Sequence, residues 1–152
     1  MACSSDREPR ADRATEAVRA LSRLSRVLET ASPELSLAHY RVLSAVASGD
    51  ERATRIASRL ALGKPSVSSA VEALAARGLI VRSEVADDQR ATCLGLTDDG
   101  RTLLAEVEAA MSARLRAVAE RTASPVALLD ALVAIQPALD SIVAERKAGT
   151  RR

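Results

Sequence analysis

Apolar residues recur every three or four positions along both ends of the chain, a spacing that places them on one face of a helix. Residues 14–29 form the first such pattern, and Ser32 with Pro33 ends it. Ser36 is of a type that caps helices, so it predicts the start of a second helix, which closes at Gly49. The apolar positions are Val18, Leu21, Leu24 and Leu28 in the first helix and Leu37, Tyr40, Leu43 and Val46 in the second.

The middle of the chain predicts two short helices, residues 54–60 and 65–77, joined by a turn that contains Gly63. Gly78 stands just past the second, where a left-handed backbone is least costly for glycine. Two short helices on one core are typical of a helix-turn-helix unit. Their shared apolar positions are Ile56 and Leu60 in one helix and Val67, Val71 and Leu74 in the other.

Two extended segments follow, residues 79–85 and 91–96, separated by the polar stretch 86–90. The alternation in the second segment predicts one face with Cys93 and Gly95 and another with Leu94 and Leu96. Such a pair of strands with a charged tip predicts a β-hairpin, or wing.

Helical spacing returns after the wing. Thr97 is placed to cap a long helix, and Ser124 with Pro125 marks the start of the last one, in which Pro137 should introduce a kink. The apolar stripes are Leu104, Val107, Met111, Leu115 and Val118, then Leu128, Leu132, Ile135, Leu139 and Ile142. Stripes this long exceed what a small central domain can cover. Pairing with a second copy is the simplest burial, and folding back on each other within one chain is the alternative.

Composition limits the chemistry available to this chain. One His, one Tyr and no Trp or Phe leave little material for a catalytic base or a multi-His metal site, so we expect neither an enzyme nor a cofactor. The same scarcity disfavours stacking on single-stranded bases, so any nucleic acid bound should be duplex. The longest uncharged stretch, residues 131–139, is shorter than the about 20 residues of a membrane span, and no signal-peptide pattern opens the chain. We therefore expect a cytoplasmic protein without a membrane partner.

Positive charge is concentrated in the centre. The whole chain carries a net charge of +2, whereas residues 52–82 contain six basic residues against the single acid Glu72, a local +5. A phosphate backbone attracts such a patch, and a solvated helix face is the alternative explanation.

The order of these segments resembles the MarR family of bacterial winged-helix transcriptional regulators, over residues 14–146. Residues 35–43 are similar to the family's second helix and 67–79 to its recognition helix with the exit glycine. Residues 88–90 resemble its wing motif, and 96–100 the start of its fifth helix. The expected fold is mainly α with a small β-hairpin wing: a winged helix-turn-helix with flanking dimerisation helices.

The resemblance implies a homodimer that binds double-stranded DNA, most often a repressor of a pseudo-palindromic operator. The expected division is a disordered tail over 1–12, dimerisation helices over 13–34 and 97–147, the DNA-binding domain over 35–96 and a flexible tail over 148–152. Winged helices also serve as protein-interaction modules, which is the competing function.

DNA contacts are expected from two places. The start of the recognition helix offers Lys64, Pro65, Ser66, Ser68 and Ser69. Family members often carry Arg where this chain has Ser69, so we expect base readout here to depend more on water or on the other serines. Capping of the helix is the alternative role of Ser66. The resemblance implies that Arg90 enters the minor groove, positioned by Asp88 and next to Gln89, with a surface ion pair as the alternative. Further phosphate contacts are expected from Arg55, Arg77 and Arg82.

Two kinds of switch are open. Family members commonly release DNA on binding a small aromatic or phenolic molecule, for which His39, Tyr40 and Arg41 are candidates, with core or surface roles as the alternative. Oxidation of a cysteine is the other route. Cys3 lies in the expected tail, and Cys93 lies in a strand where burial would make it inert.

Overall fold

The computed structural model describes residues 8–49, 52–60, 62–85 and 88–149, with side chains except at 8–11, 84, 85, 88–92 and 146–149. Seven helices and one hairpin follow each other in the described residues. They are α1 (Glu8–Glu29), α2 (Leu37–Ala47), α3 (Ala53–Leu60), α4 (Lys64–Ala76), β1 (Ile80–Val85), β2 (Asp88–Leu96), α5 (Asp98–Ala119), α6 (Pro125–Ala134) and α7 (Gln136–Gly149).

The core lies between α2, α3, α4, the base of the hairpin and the first half of α5. Helix α2 begins as predicted, because the Ser36 hydroxyl accepts the backbone N–H of His39 at 3.2 Å. The apolar faces predicted for α3 and α4 point into this core, and Leu74 has no exposed surface. The largest fully buried side chains are Leu35, Leu43, Ile56, Leu74, Val42, Val67 and Val107.

The hairpin is antiparallel, and its two faces differ as the alternation predicted. Ile80 pairs with Leu96 and Arg82 with Leu94 on the side of the core, where Leu94 is buried. Val81 pairs with Gly95 on the outer face, where Val81 is exposed. The wing is therefore attached to the domain through one face of its base.

Two glycines allow the wing to meet α5. Gly78 adopts a φ of 71°, the left-handed conformation expected of it after α4. The Thr97 hydroxyl donates to the Gly78 carbonyl at 2.7 Å and accepts the Gly100 N–H at 2.9 Å, so it caps α5 and holds the end of α4 together with its start. A Cβ at Gly100 would lie 2.1 Å from the Leu79 carbonyl oxygen, so this approach requires glycine.

The terminal helices are far less covered. Within the chain α1 packs on α5, α5 on α6 and α6 on α7, yet large apolar side chains on these helices face outward. Val126 is 69% exposed and Ile142 is 55% exposed. The full set on these helices is Val18, Leu21, Val126, Val133, Ile135, Leu139 and Ile142, which we call the open apolar face.

Several predicted boundaries change at the ends of the chain. Helix α1 already begins at Glu8, so 8–12 are helical rather than part of a tail, because Pro9 is well accommodated in a first helical turn. Helix α7 continues to Gly149, because Arg146, Lys147 and Ala148 are good helix formers, so 148–149 do not belong to a C-terminal tail. Residues 1–7 and 150–152 lie outside the described residues.

Pro137 divides the last helical pattern into two helices. Helix α6 ends at Ala134 and α7 begins at Gln136, because proline has no N–H to continue the helical hydrogen bonds. Ser124 stands at the expected position before Pro125, but its side chain makes no capping hydrogen bond.

One prediction about the same region needs correction. Residues Pro125–Glu145 contain a window with a mean hydropathy of 1.7, so by length and composition alone they could cross a membrane. The longest uncharged stretch did not indicate this segment as a membrane span, because two acids, Asp130 and Asp140, interrupt its apolar residues. The segment is weak as a membrane span because it is broken at Ile135. Five of its apolar residues also belong to the open apolar face, which a protein partner can cover.

Candidate nucleic-acid interface

Helix α4 has two opposite faces. Val67, Ala70, Val71 and Leu74 are buried in the core, whereas Ser66, Ser68 and Ser69 are exposed. Lys64 and Pro65 begin the helix and are also exposed. The five residues predicted to contact DNA at the recognition helix therefore lie together on the accessible side of its first two turns.

The start of α4 is suited to an anion. Gly63 occupies the position before the helix and brings no side chain to cap it. The first-turn N–H groups and the helix dipole therefore attract negative charge, as does the Lys64 ammonium. Ser66 is the third residue inside the helix, so the alternative role of helix cap does not apply to it.

The three predicted phosphate contacts surround α4 on different elements. Arg55 lies on α3, Arg77 at the end of α4 and Arg82 on β1, and all three are exposed. A helix of 13 residues is about 20 Å long, so Arg77 stands at the opposite end of α4 from Lys64. These residues outline a broad basic surface rather than one compact site.

The wing motif lies in a strand rather than at the hairpin tip. Strand β2 begins at Asp88, which pairs with Val85, so Asp88, Gln89 and Arg90 lie within the bounds of the strand. Glu84 pairs with Thr92 but Val85 pairs with Asp88, which leaves residues 89–91 outside the register. The side chains of this motif, including the predicted Asp88–Arg90 ion pair, lie outside the described residues.

The three predicted effector residues are neighbours on α2 but face different surroundings. Tyr40 is half-buried, and its hydroxyl donates to Glu108 Oε1 on α5 at 3.5 Å. Burial raises the pKa of Tyr40, and the negative charge of Glu108 raises it further. The Tyr40 hydroxyl therefore stays protonated at neutral pH. His39 is partly buried and Arg41 is exposed.

A hollow of about 390 Å³ opens beside this part of α2. It lies between the end of α1 and the start of α2 and is lined by Glu29, Ser32, Pro33, Leu35, Ser36, Leu37 and Ala38. Ser32 is buried, and its hydroxyl donates to Glu34 at 2.7 Å, which lowers the pKa of that carboxyl. The hollow ends one residue before His39, so the predicted effector residues adjoin it without lining it.

Glu108 is the polar partner that the sequence did not indicate. It is 68 positions away from Tyr40, and no local pattern relates the two.

Among the described residues, no group of three or more His, Cys, Asp or Glu side chains could hold a metal ion.

The cysteines differ from expectation in one respect. Cys93 is partly exposed rather than buried, because it pairs with Ser83 on the outer face of the hairpin, away from the core. Cys3 lies outside the described residues.

Comparison with known proteins finds one family model that is similar to part of the chain. The MarR family model matches residues 34–91, from the loop before α2 into the wing. No curated protein matches the chain in sequence.

Solved structures match over most of the length. A MarR-family transcriptional regulator from a Rhodococcus species has a TM-score of 0.71 and 21% identity, covering 92% of this chain and 96% of its own. The repressor CouR, solved with a 23-mer DNA duplex, has a TM-score of 0.68 and 28% identity. The match covers 79% of this chain and 89% of CouR. BpsR of Bordetella bronchiseptica has a TM-score of 0.66 and 23% identity, and the match covers 82% of this chain and 98% of BpsR. With its helix-turn-helix, hairpin wing and flanking helices, this chain has the fold of the MarR-family regulators, and its residues 34–91 match the MarR family model.

Proposed function

We propose that this protein is a transcriptional regulator that binds duplex DNA as a homodimer, rather than an enzyme. The observation that carries the proposal is the two-faced helix α4. Its apolar side is fixed in the core, so its serine side and Lys64 are held outward and can enter the major groove. The exposed Arg55, Arg77 and Arg82 flank it at positions suited to phosphates.

The open apolar face supports the dimer. Seven large apolar side chains on α1, α6, α7 and the link between the last two are between 44% and 69% exposed, which is unfavourable for a soluble monomer. A second copy of the chain presents the same face, so a twofold pairing covers both at once. Two lobes held about 34–36 Å apart, or a multiple of that, would bind a pseudo-palindromic operator.

Two relatives support repression as the effect on transcription and a small molecule as the regulatory signal. CouR is a repressor solved with DNA, and CouR from Rhodococcus jostii has also been solved with p-coumaroyl-CoA. The DNA binding of BpsR is regulated by 6-hydroxynicotinic acid. Both small molecules contain an aromatic ring with a polar substituent. We therefore propose repression that is relieved by a small aromatic molecule in the hollow between α1 and α2, next to His39, Tyr40 and Arg41.

The experiment that tests the function selects bound duplexes from a random pool and then titrates the recovered sequence against added salt. We expect a twofold-symmetric motif and a dissociation constant that rises steeply with salt, because bound phosphates release counterions. No enriched motif, or binding indifferent to salt, would contradict the proposal and favour a protein-interaction module. Because its target would be chromosomal DNA, we expect the protein in the cytoplasm.

A further inference from the structure

One acidic residue lies on the outward face of α4. Glu72 is exposed, and it is the only acid between residues 52 and 82. It is the ninth of the 13 residues of the helix, one turn beyond Ser68 and Ser69, so the three side chains are neighbours on one face. The buried residues of α4 lie on the opposite side, so the Glu72 side chain is held away from the core.

Stability of the helix does not account for Glu72. An acid stabilises a helix in the first turn, whereas Glu72 lies in the third turn of α4. The residues three and four positions further on are Ala75 and Ala76, which offer no cation for a helical ion pair. No ion pair between side chains that the structure describes involves this carboxylate. Its charge is therefore left for a partner outside the lobe.

The neighbouring side chains give Glu72 the longest reach from this face. Between Lys64 at the start of α4 and Arg77 just after its end, the other exposed residues are Pro65, Ser66, Ser68, Ser69 and Ala76. All of these are shorter than glutamate. A helix with such small residues can lie close to the floor of the major groove, where the carboxylate reaches the base edges. The inference thus rests on the proposed function.

The chemistry of the carboxylate decides which base it can bind. An ionised carboxylate only accepts hydrogen bonds. In the major groove guanine presents two acceptors, thymine presents an acceptor and a methyl group, and adenine places its N7 acceptor beside the N6 donor. Cytosine presents the N4 amino donor, so it is the base that pairs with a carboxylate without repulsion.

We propose that Glu72 determines sequence specificity by accepting a hydrogen bond from the N4 amino group of one cytosine in each half-site. On a duplex without that cytosine, the carboxylate loses its hydration against the bases and gains no donor, which weakens binding. Its charge also opposes the phosphates that the basic surface around α4 attracts. The basic residues thus favour any duplex, and Glu72 disfavours the wrong ones.

The test repeats the selection of bound duplexes from a random pool with the wild type, Glu72→Ala and Glu72→Gln. We expect one cytosine in each half-site of the wild-type motif to lose its enrichment in Glu72→Ala, while the other positions stay the same. Glutamine pairs with N6 and N7 of adenine, so Glu72→Gln should change the preferred base there to adenine. Replacing that cytosine in the selected operator should weaken wild-type binding on the order of tenfold, and binding of Glu72→Ala by less than about twofold.

A matched control separates base recognition from net charge. Glu106→Gln removes an exposed charge from α5 and should select the wild-type motif. On a mixed-sequence duplex Glu72→Gln should bind more tightly than the wild type, because a charge that opposes phosphates is lost, whereas Glu106→Gln should bind equally.

Three outcomes would contradict these expectations. An unchanged motif in Glu72→Ala, or a lost preference for a base other than cytosine, overturns the inference. Loss of all duplex binding in both Glu72 variants also overturns it, because that would indicate a structural role. If the wild type enriches no motif, the proposed function itself fails.

Discussion

The winged lobe and the terminal helices solve the problem of apolar surface in different ways. The lobe covers its own residues, so Leu43, Ile56 and Leu74 are fully buried within one chain. The terminal helices leave Val126 and Val133 about two-thirds exposed on a helix that contains no buried residue. One region is covered by its own chain and the other leaves its apolar residues open, so under the proposed function DNA recognition depends on a second chain that covers them.

The largest effect should come from a substitution in the core of the winged lobe, and it should lower the free energy of unfolding. Leu74→Ala removes a fully buried side chain from the centre of the lobe, and the resulting cavity should lower the free energy of unfolding by about 2–5 kcal/mol in urea denaturation. Val81→Ala, on the exposed outer face of the hairpin, is the matched control and should change it by less than about 0.5 kcal/mol. Equal losses in the two variants would contradict the assignment of the core.

Substitutions in the terminal helices should instead weaken the association of two chains. Leu139→Gln/Ile142→Gln replaces two outward apolar side chains, each contributing about 1.5–3 kcal/mol if buried by a partner. We therefore expect the dimer dissociation constant in sedimentation equilibrium to rise at least about 100-fold. Asp140→Gln on the same helix should leave it within about threefold. A dimer unaffected by the double variant would exclude the open apolar face as the interface.

A wing variant should affect DNA binding without affecting either region's stability. Arg90→Ala should weaken operator binding by at least about tenfold, about 1.4 kcal/mol, if Arg90 enters the minor groove as the resemblance to the MarR family implies. Gel-shift titration measures the affinity, and sedimentation shows whether the dimer persists. Arg114→Ala, an exposed arginine on α5, serves as the control. Unchanged affinity in Arg90→Ala would remove the wing from the interface.

The smallest effect concerns the junction between the regions. Thr97→Ala removes the cap of α5 and the hydrogen bond to the Gly78 carbonyl, which should cost about 1 kcal/mol of unfolding free energy. Thr97→Ser retains the hydroxyl and should remain close to wild type in thermal unfolding. If serine and alanine are equally destabilising, the hydroxyl is not what joins the hairpin to α5.

The features predictable from the sequence are those that neighbouring residues determine. The apolar spacing in α4, the left-handed turn at Gly78 and the cap at Thr97 all depend on positions a few residues apart, and each was predicted. The hydrogen bond between Tyr40 and Glu108 and the packing of α7 on α3 depend on tertiary contacts, which no local pattern contains. Arg90 belongs to both kinds: its motif was recognisable, but its position in β2 depends on the irregular register near the end of the hairpin.

Sedimentation of the protein with its selected duplex counts the chains on DNA, so it distinguishes a bound dimer from a bound monomer. We expect two chains on each duplex, with no single-chain complex as the protein is diluted towards the dissociation constant of the dimer. One chain bound per duplex with undiminished affinity, or a protein that stays monomeric at micromolar concentration, would contradict this expectation.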